Sequence, residues 1–135
     1  MTLGLLGTVT YGNCSTLDDS DYLDSILTKS AKTGKLTGLV TTTRITHATP
    51  AAAYAHSVSR WFESSVPDQC ETQVDIAQQL VNSGIKFNIT FGGGERHFNA
   101  RNDNQNLIEQ WREREDSCYV NTKGNQCIRI LLINI

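Results

Sequence analysis

LTGLVTTTRITHATPAAAYAH, residues 36–56, is the stretch on which the reading of this chain turns. Residues 36–43 form a short β-branched run, the composition of a buried strand. Pro50 suits the first turn of a helix, where its missing N–H costs nothing. Thr49 before it suits the N-cap, so a helix is predicted on residues 51–58. The hydroxyl-rich piece before Pro50 is then a strand-to-helix connection.

Working outward, residues 18–32 place Tyr22, Leu23, Ile26 and Leu27 at helical spacing, with acids in front, lysines behind and Gly34 as a stop. Residues 74–84 put Val74, Ile76, Ala77, Leu80 and Val81 on one helical face. Residues 85–91, IKFNITF, read as a second strand running into Gly92-Gly93-Gly94, and residues 106–115 as a further helix with Leu107, Ile108 and Trp111 recurring. The order helix, strand, helix, helix, strand, helix predicts an α/β layer on a mainly parallel sheet, with ligands gathered at the carboxyl ends of the strands, where residues 41–49 would lie. The apolar IRILLINI, residues 128–135, reads as an edge strand or, if exposed, an aggregation hazard. Ending on such a run, the chain reads as a piece of a larger protein.

With 135 residues, 39% of them hydrophobic, the chain suits one globular domain, and its net charge of -2 with scattered Lys and Arg argues against nucleic acid as a partner. No apolar run approaches the roughly 18–20 residues of a membrane span, and the start lacks the basic segment of a signal peptide. Cys14, Cys70, Cys118 and Cys127 include no CxxC pair, which leaves disulfides or isolated thiols. Two disulfides would imply an oxidising compartment. The tripeptides Asn13-Cys14-Ser15 and Asn88-Ile89-Thr90 are compatible with a glycoprotein there.

The chemistry-bearing groups concentrate in one place: Thr43, Arg44, His47, Thr49, His56, Ser59 and Arg60. Hydroxyl oxygens suit magnesium, imidazole suits zinc and an arginine fork suits phosphate. The simpler reading makes Thr49 a cap, His47 a loop residue and Arg60 a surface charge near a helix end. The glycine run can cradle a phosphate or serve as a plain turn after a strand, and the second is simpler. His97 reads as a loop residue, and Glu113 and Glu115 beside Arg112 and Arg114 as a solvated helix face. No GxSxG, HxH or HExxH spacing is present. By residues alone, the chain offers a partial anion or metal site without a full catalytic set.

The stretches SILTKSAKTGKLTGLVTTTRITHATPAAAYAH and DIAQQLVNSGIKFNITFGGGERHF resemble the animal-type alkaline phosphatases, through VTTTR, His-Ala-Thr-Pro, Ala-x-x-Ala-His and the strand ending in GGG. The resemblance spans roughly residues 2–120, is strongest over 25–98 and fades over 121–135. It implies a three-layer α/β/α fold with a mainly parallel sheet, here incomplete, in a partial domain covering residues 1–135. It implies hydrolysis of phosphomonoesters through a phosphoserine, with two zinc ions and a magnesium. On the matching positions, Thr49 is implied as a magnesium ligand, and His47 as a residue acting on that magnesium through water. Arg60 is implied as the clamp on two oxygens of the substrate phosphate, and Cys14 and Cys70 as a disulfide pair. The resemblance also implies a full-length homodimer outside the cell or at its surface, held there by a lipid (GPI) anchor not in these residues.

The family's nucleophilic serine and zinc ligands have no match here, no serine in the chain takes that role, and Trp61-Phe62-Glu63 replaces the usual acidic-then-Trp order after the arginine. The isolated chain is therefore expected to be inactive. Two other readings stand beside this one: a truncated, non-catalytic relative that binds phosphate or a protein partner, and a secreted disulfide-bonded structural domain.

Overall fold

The computed structural model describes residues 1–15, 17–82, 84–85, 87–114 and 117–120, together with the backbone of 129–132. Its sheet has four strands in the order β1-β2-β4-β3: β1 Gly38–Arg44, β2 Ile89–Gly93, β3 Ser117–Tyr119 and β4 Arg129–Leu132. Every pairing is parallel. Parallel neighbours need crossovers long enough to carry helices, and the described residues supply them from β1 to β2 and from β2 to β3. Between β1 and β2 run α2 (Ala48–Ala51) and α3 (Ile76–Asn82); between β2 and β3 run α4 (Arg96–Asn99) and α5 (Leu107–Arg112). A further helix, α1 (Ile26–Lys32), precedes β1. The α/β class with a parallel sheet is as expected.

The helices carry their apolar positions inward. Ile76, Ala77, Leu80 and Val81 of α3 and Leu107, Ile108 and Trp111 of α5 are buried, in one core with Ile45, Tyr54, Phe87 and Phe98. Burying side chains of this size is worth about 1.5–3 kcal/mol each. Val74 does not share the α3 face and is 46% exposed, because the helix begins only after Asp75, whose carboxylate accepts the Gln78 amide at 3.0 Å. At α5, Asn106 caps by accepting from the Ile108 and Glu109 amides.

Several expectations are corrected. Residues 18–32 are not one helix. Asp18 caps a short 3-10 turn at Asp19–Asp21, and Ser25 caps α1 by accepting the Thr28 amide while donating to the Ala53 carbonyl. Between that turn and α1 the chain leaves the helical path at Tyr22, which is extended, pinned by a Leu5–Tyr22 bridge and a bond from the Leu23 amide to the Gly4 carbonyl. Thr49 is not a cap either: α2 begins at Ala48 with His47 as its N-cap, and it lasts one turn. The chain then leaves the helix because Ser57 pairs with Leu3 and the His56 amide donates to Gln79. Nor is β1 a buried strand. It lies at the sheet edge, and its outer face, with Val40 at 69% exposure beside Ile89 at 41%, is open among the described residues.

Residues 129–132 of the terminal run form an interior strand rather than an edge, while 133–135, 121–128 and Cys127 lie outside the described residues. The glycine run is a packing device. A Cβ on Gly92 would come within 2.9 Å of the Thr41 side chain and 3.1 Å of Ile45. Gly94, at φ 94°, would press its Cβ to 2.9 Å from that of Arg44. Both glycines let the ends of β1 and β2 close on each other.

Candidate active site

The carboxyl ends of β1 and β2 deliver Arg44, His47 and, after Gly94, His97 to one edge of the sheet; the segment after residue 56 returns to meet them. Arg60 Nη2 lies 2.9 Å from His47 Nε2. A guanidinium only donates, so that ring nitrogen accepts and the proton sits on Nδ1. Nδ1 is buried and has no partner among the described residues. Arg60 also lies over the Trp61 ring, 5.4 Å from its centroid, and pairs with no carboxylate among the described residues. Thr49, two residues along α2 from His47, is exposed.

Glu63 anchors the return segment. Its carboxylate accepts from Arg44 Nε and Nη2 at 2.9 and 2.8 Å, a fork-to-fork pair, and from Thr46 Oγ1 at 2.5 Å. His97 Nε2 is 3.4 Å from the same carboxylate, and His97 Nδ1 is 3.2 Å from Ser64 Oγ. Ser64, His97 and Glu63 therefore stand in the order of a hydrolase triad, but Glu63 is already committed to Arg44 and Thr46. It serves as a clamp between strand end and loop. The clamp continues into α3, whose Ile76 and Ala77 amides donate to the Phe62 and Glu63 carbonyls.

Beyond it, Arg101 is buried with all five of its N–H groups used, on Asp75, Asp103 and the His97 carbonyl. Burial alone would disfavour its charge, but the bonds to Asp103 and Asp75 outweigh that and raise its pKa. On the other flank, the disulfide Cys14–Cys70, with its Cα atoms 5.4 Å apart, sits in a small second core with Leu5 and Val58 and ties the N-terminal loop to the segment after Arg60. Cys118 is also disulfide-bonded.

Of the groups singled out by sequence, the structure brings His47 and Arg60 together. Arg44 goes to Glu63; Ser59 supports the Arg60 segment; Thr43 bonds to Thr41. His56 turns away, with Nε2 3.1 Å from the Leu23 carbonyl and its ring against Tyr22. Sequence reasoning missed Glu63, Asp75, Arg101 and Asp103 and took His97 for a loop residue. The partners of Glu63 lie 17 to 34 residues away and Asp75 lies 26 from Arg101, so no local spacing announces them; only the Arg101–Asp103 pair is local.

The family model for alkaline phosphatase matches residues 5–131. The chain belongs to the alkaline phosphatase family. It is 37% identical over 133 residues to the tissue-nonspecific alkaline phosphatase of Gallus gallus, covering 83% of this chain and 25% of that protein. It is 34% identical over 142 residues to the membrane-bound alkaline phosphatase of Bombyx mori, covering 90% of this chain and 26% of that one. The alkaline phosphatase of the Antarctic bacterium TAB5 superposes with a TM-score of 0.67 at 24% identity, over 98% of this chain and 33% of that one. A mutant of it with magnesium bound in its M3 site gives 0.65 at 22%, over the same shares of the two chains. At these identities the likeness to the bacterial enzyme is one of fold. The chain spans about a quarter of the length of the two animal relatives.

The chemistry of the residues present suits a magnesium ion in part. Thr49 offers a neutral, exposed oxygen of the hard kind magnesium accepts, and the orphaned His47 Nδ1–H needs an acceptor such as an ordered water. Among the described residues no three His, Cys, Asp or Glu side chains converge, so no zinc-binding set is present in them. No helix of the described residues is long and apolar enough to cross a membrane.

The clamp is expected to make the chain acid-sensitive. Burial pushes the His97 pKa below its ordinary 6.5, with the Glu63 charge opposing. For Glu63 burial pushes upward, but the bonds from Arg44 and Thr46 outweigh it and hold the carboxyl below 4.5. In both cases the unfolded chain binds more protons, so stability is present above the unfolded pKa and is lost as pH falls. The urea midpoint is expected to begin falling below 6.5 through His97 and to fall further below 4.5 as Glu63 also takes up its proton. His97→Gln should remove the first fall and leave the second. A midpoint that rose on acidification would contradict the arrangement.

Proposed function

We propose that this chain carries the phosphate-clamping part and a portion of the magnesium site of an alkaline phosphatase, a phosphomonoester hydrolase that works through a phosphoserine. The observation that supports it best is Arg60: a half-buried guanidinium beside the strand ends, steadied by His47 and Trp61 and balanced by no carboxylate among the described residues. Arg44, Arg101 and Arg112 each hold an acid and have no charge to spare.

In this reading, the Arg60 fork takes two oxygens of the phosphate. His47, through Nε2, fixes one edge of that fork and so limits the orientations open to it. Thr49 contributes a hydroxyl to magnesium, and His47 Nδ1–H acts on that metal through water. Bound magnesium and zinc supply positive charge where the entering and leaving oxygens become negative. The residues given contain neither the family's nucleophilic serine nor its zinc ligands, so the chain by itself is expected not to turn over p-nitrophenyl phosphate. The full enzyme is read as a homodimeric glycoprotein outside the cell or at its surface, held by a lipid anchor.

Calorimetric titration with inorganic phosphate tests the clamp. Arg60→Ala is expected to weaken binding about 10- to 100-fold, the loss of charged hydrogen bonds. An equal loss in Arg44→Ala with none in Arg60→Ala would assign the anion to the wrong arginine and sink the proposal.

A further inference from the structure

Two exposed aromatic side chains bear on the segment that carries Arg60: Trp61 beneath its guanidinium, and Tyr11 through Ser59 next to it in sequence. Trp61 is 67% exposed and Tyr11 is 49% exposed. They are joined through one hydroxyl. Ser59 Oγ, on a buried residue, donates to Tyr11 Oη at 3.2 Å and accepts from the Trp61 amide at 3.2 Å. Ser59 is itself fixed by bonds to and from Ser57, and the Gly12 amide donates to the Val58 carbonyl at 3.0 Å, which brings the Tyr11 loop against this segment. The two rings are thus held on the same three-residue support that carries the anion-binding side chain. An indole held largely in water beside a guanidinium that pairs with no carboxylate among the described residues is the arrangement in which a flat partner gains most. One end of that partner meets charge and the other meets a ring.

We infer that Trp61 and Tyr11 form an aromatic wall for the ester group of a phosphate held by Arg60, so that the site selects phosphomonoesters of aromatic alcohols over those of alkyl alcohols. The inference rests on the reading of Arg60 as the phosphate clamp and adds to it the class of leaving group. The phosphate sets the anchor point, and the ring of the ester stacks or packs edge-on against the wall. An alkyl ester reaches the same place with no π-face to offer.

The test is calorimetric titration of the 135-residue chain with inorganic phosphate, phenyl phosphate and glycerol 2-phosphate, read as the ratio of the last two affinities. Phenyl phosphate is expected to bind about 2- to 10-fold more tightly than glycerol 2-phosphate. In Trp61→Ala the ratio should fall to near one, and in Trp61→Phe part of it should return. Loosening of Arg60 by the loss of the ring beneath it weakens both ligands alike and cancels in the ratio. Equal affinities in the unaltered chain, or a preference that survives Trp61→Ala, would overturn the inference alone. Inorganic phosphate that fails to bind, or binds regardless of Arg60→Ala, would overturn the clamp reading and the aromatic wall with it.

Discussion

Arg101→Met should destabilise the folded chain by about 3–5 kcal/mol, the cost of leaving a buried carboxylate without its partner. Asp75 is 4% exposed and accepts from two guanidinium nitrogens at 3.2 and 2.6 Å while also holding the start of α3. Removing the arginine strands that charge and loosens the helix whose first amides bind the segment after Arg60. Lysine does not repair the site, because an ammonium has three donors on one atom where five are needed in a planar fork. Arg101→Lys is therefore also expected to fall well below the unaltered chain. Asp103→Asn should cost much less, since the Asp103 side chain is 36% exposed and water can replace part of what it gives. Urea denaturation of the three variants measures this. Equal midpoints for Arg101→Met and Asp103→Asn would show that burial of Asp75 is not what makes the cluster costly to break.

The second large effect is the loss of the Cys14–Cys70 bond. The bridge spans a sequence separation of 56 residues, and closing a loop of that size restricts the unfolded chain by about 4 kcal/mol in the chain-entropy account. Replacing both cysteines by alanine, rather than adding reductant, leaves the bond at Cys118 intact and isolates the one of interest. Because the bridge anchors the core beside Val58, its loss should also weaken phosphate binding through greater freedom of residues 57–60. A urea midpoint unchanged in the double variant would mean that the apolar contacts of Leu5, Val9, Val58 and Phe62 close the loop unaided.

How much of this was legible beforehand depends on the range of the interaction. The α3 and α5 segments were legible because Ile76, Ala77 and Leu80, and Leu107, Ile108 and Trp111, repeat at the helical period. β1 and β2 were found within a few residues from β-branched runs. The long helix over residues 18–32 was wrong because Asp18 and Ser25 both bond backbone amides, and a second cap inside a helical pattern divides it. Thr49 was misplaced as a cap because α2 starts two residues earlier, with His47 as its N-cap, set by the turn in which the His47 amide donates to Arg44. The third strand had no clear local signature; the fourth was legible as a strand in the run 128–135, but its interior place is set only by pairing with β2 and β3.

The sequence by itself determined the class of fold, the parallel sheet and, through the His-Ala-Thr-Pro segment and its neighbours, the family. Those are properties of periodicity and of residue order, which survive in one dimension. Only the tertiary structure decided that Arg44 is spent on Glu63 while Arg60 pairs with no carboxylate among the described residues, that Gly92 and Gly94 are there to let two strand ends approach, and that Tyr11 meets Ser59 across 48 residues. A charge is free or neutralised according to what lies within a few ångströms of it. That distance is set by how the helices cross back over the sheet and by no spacing along the chain.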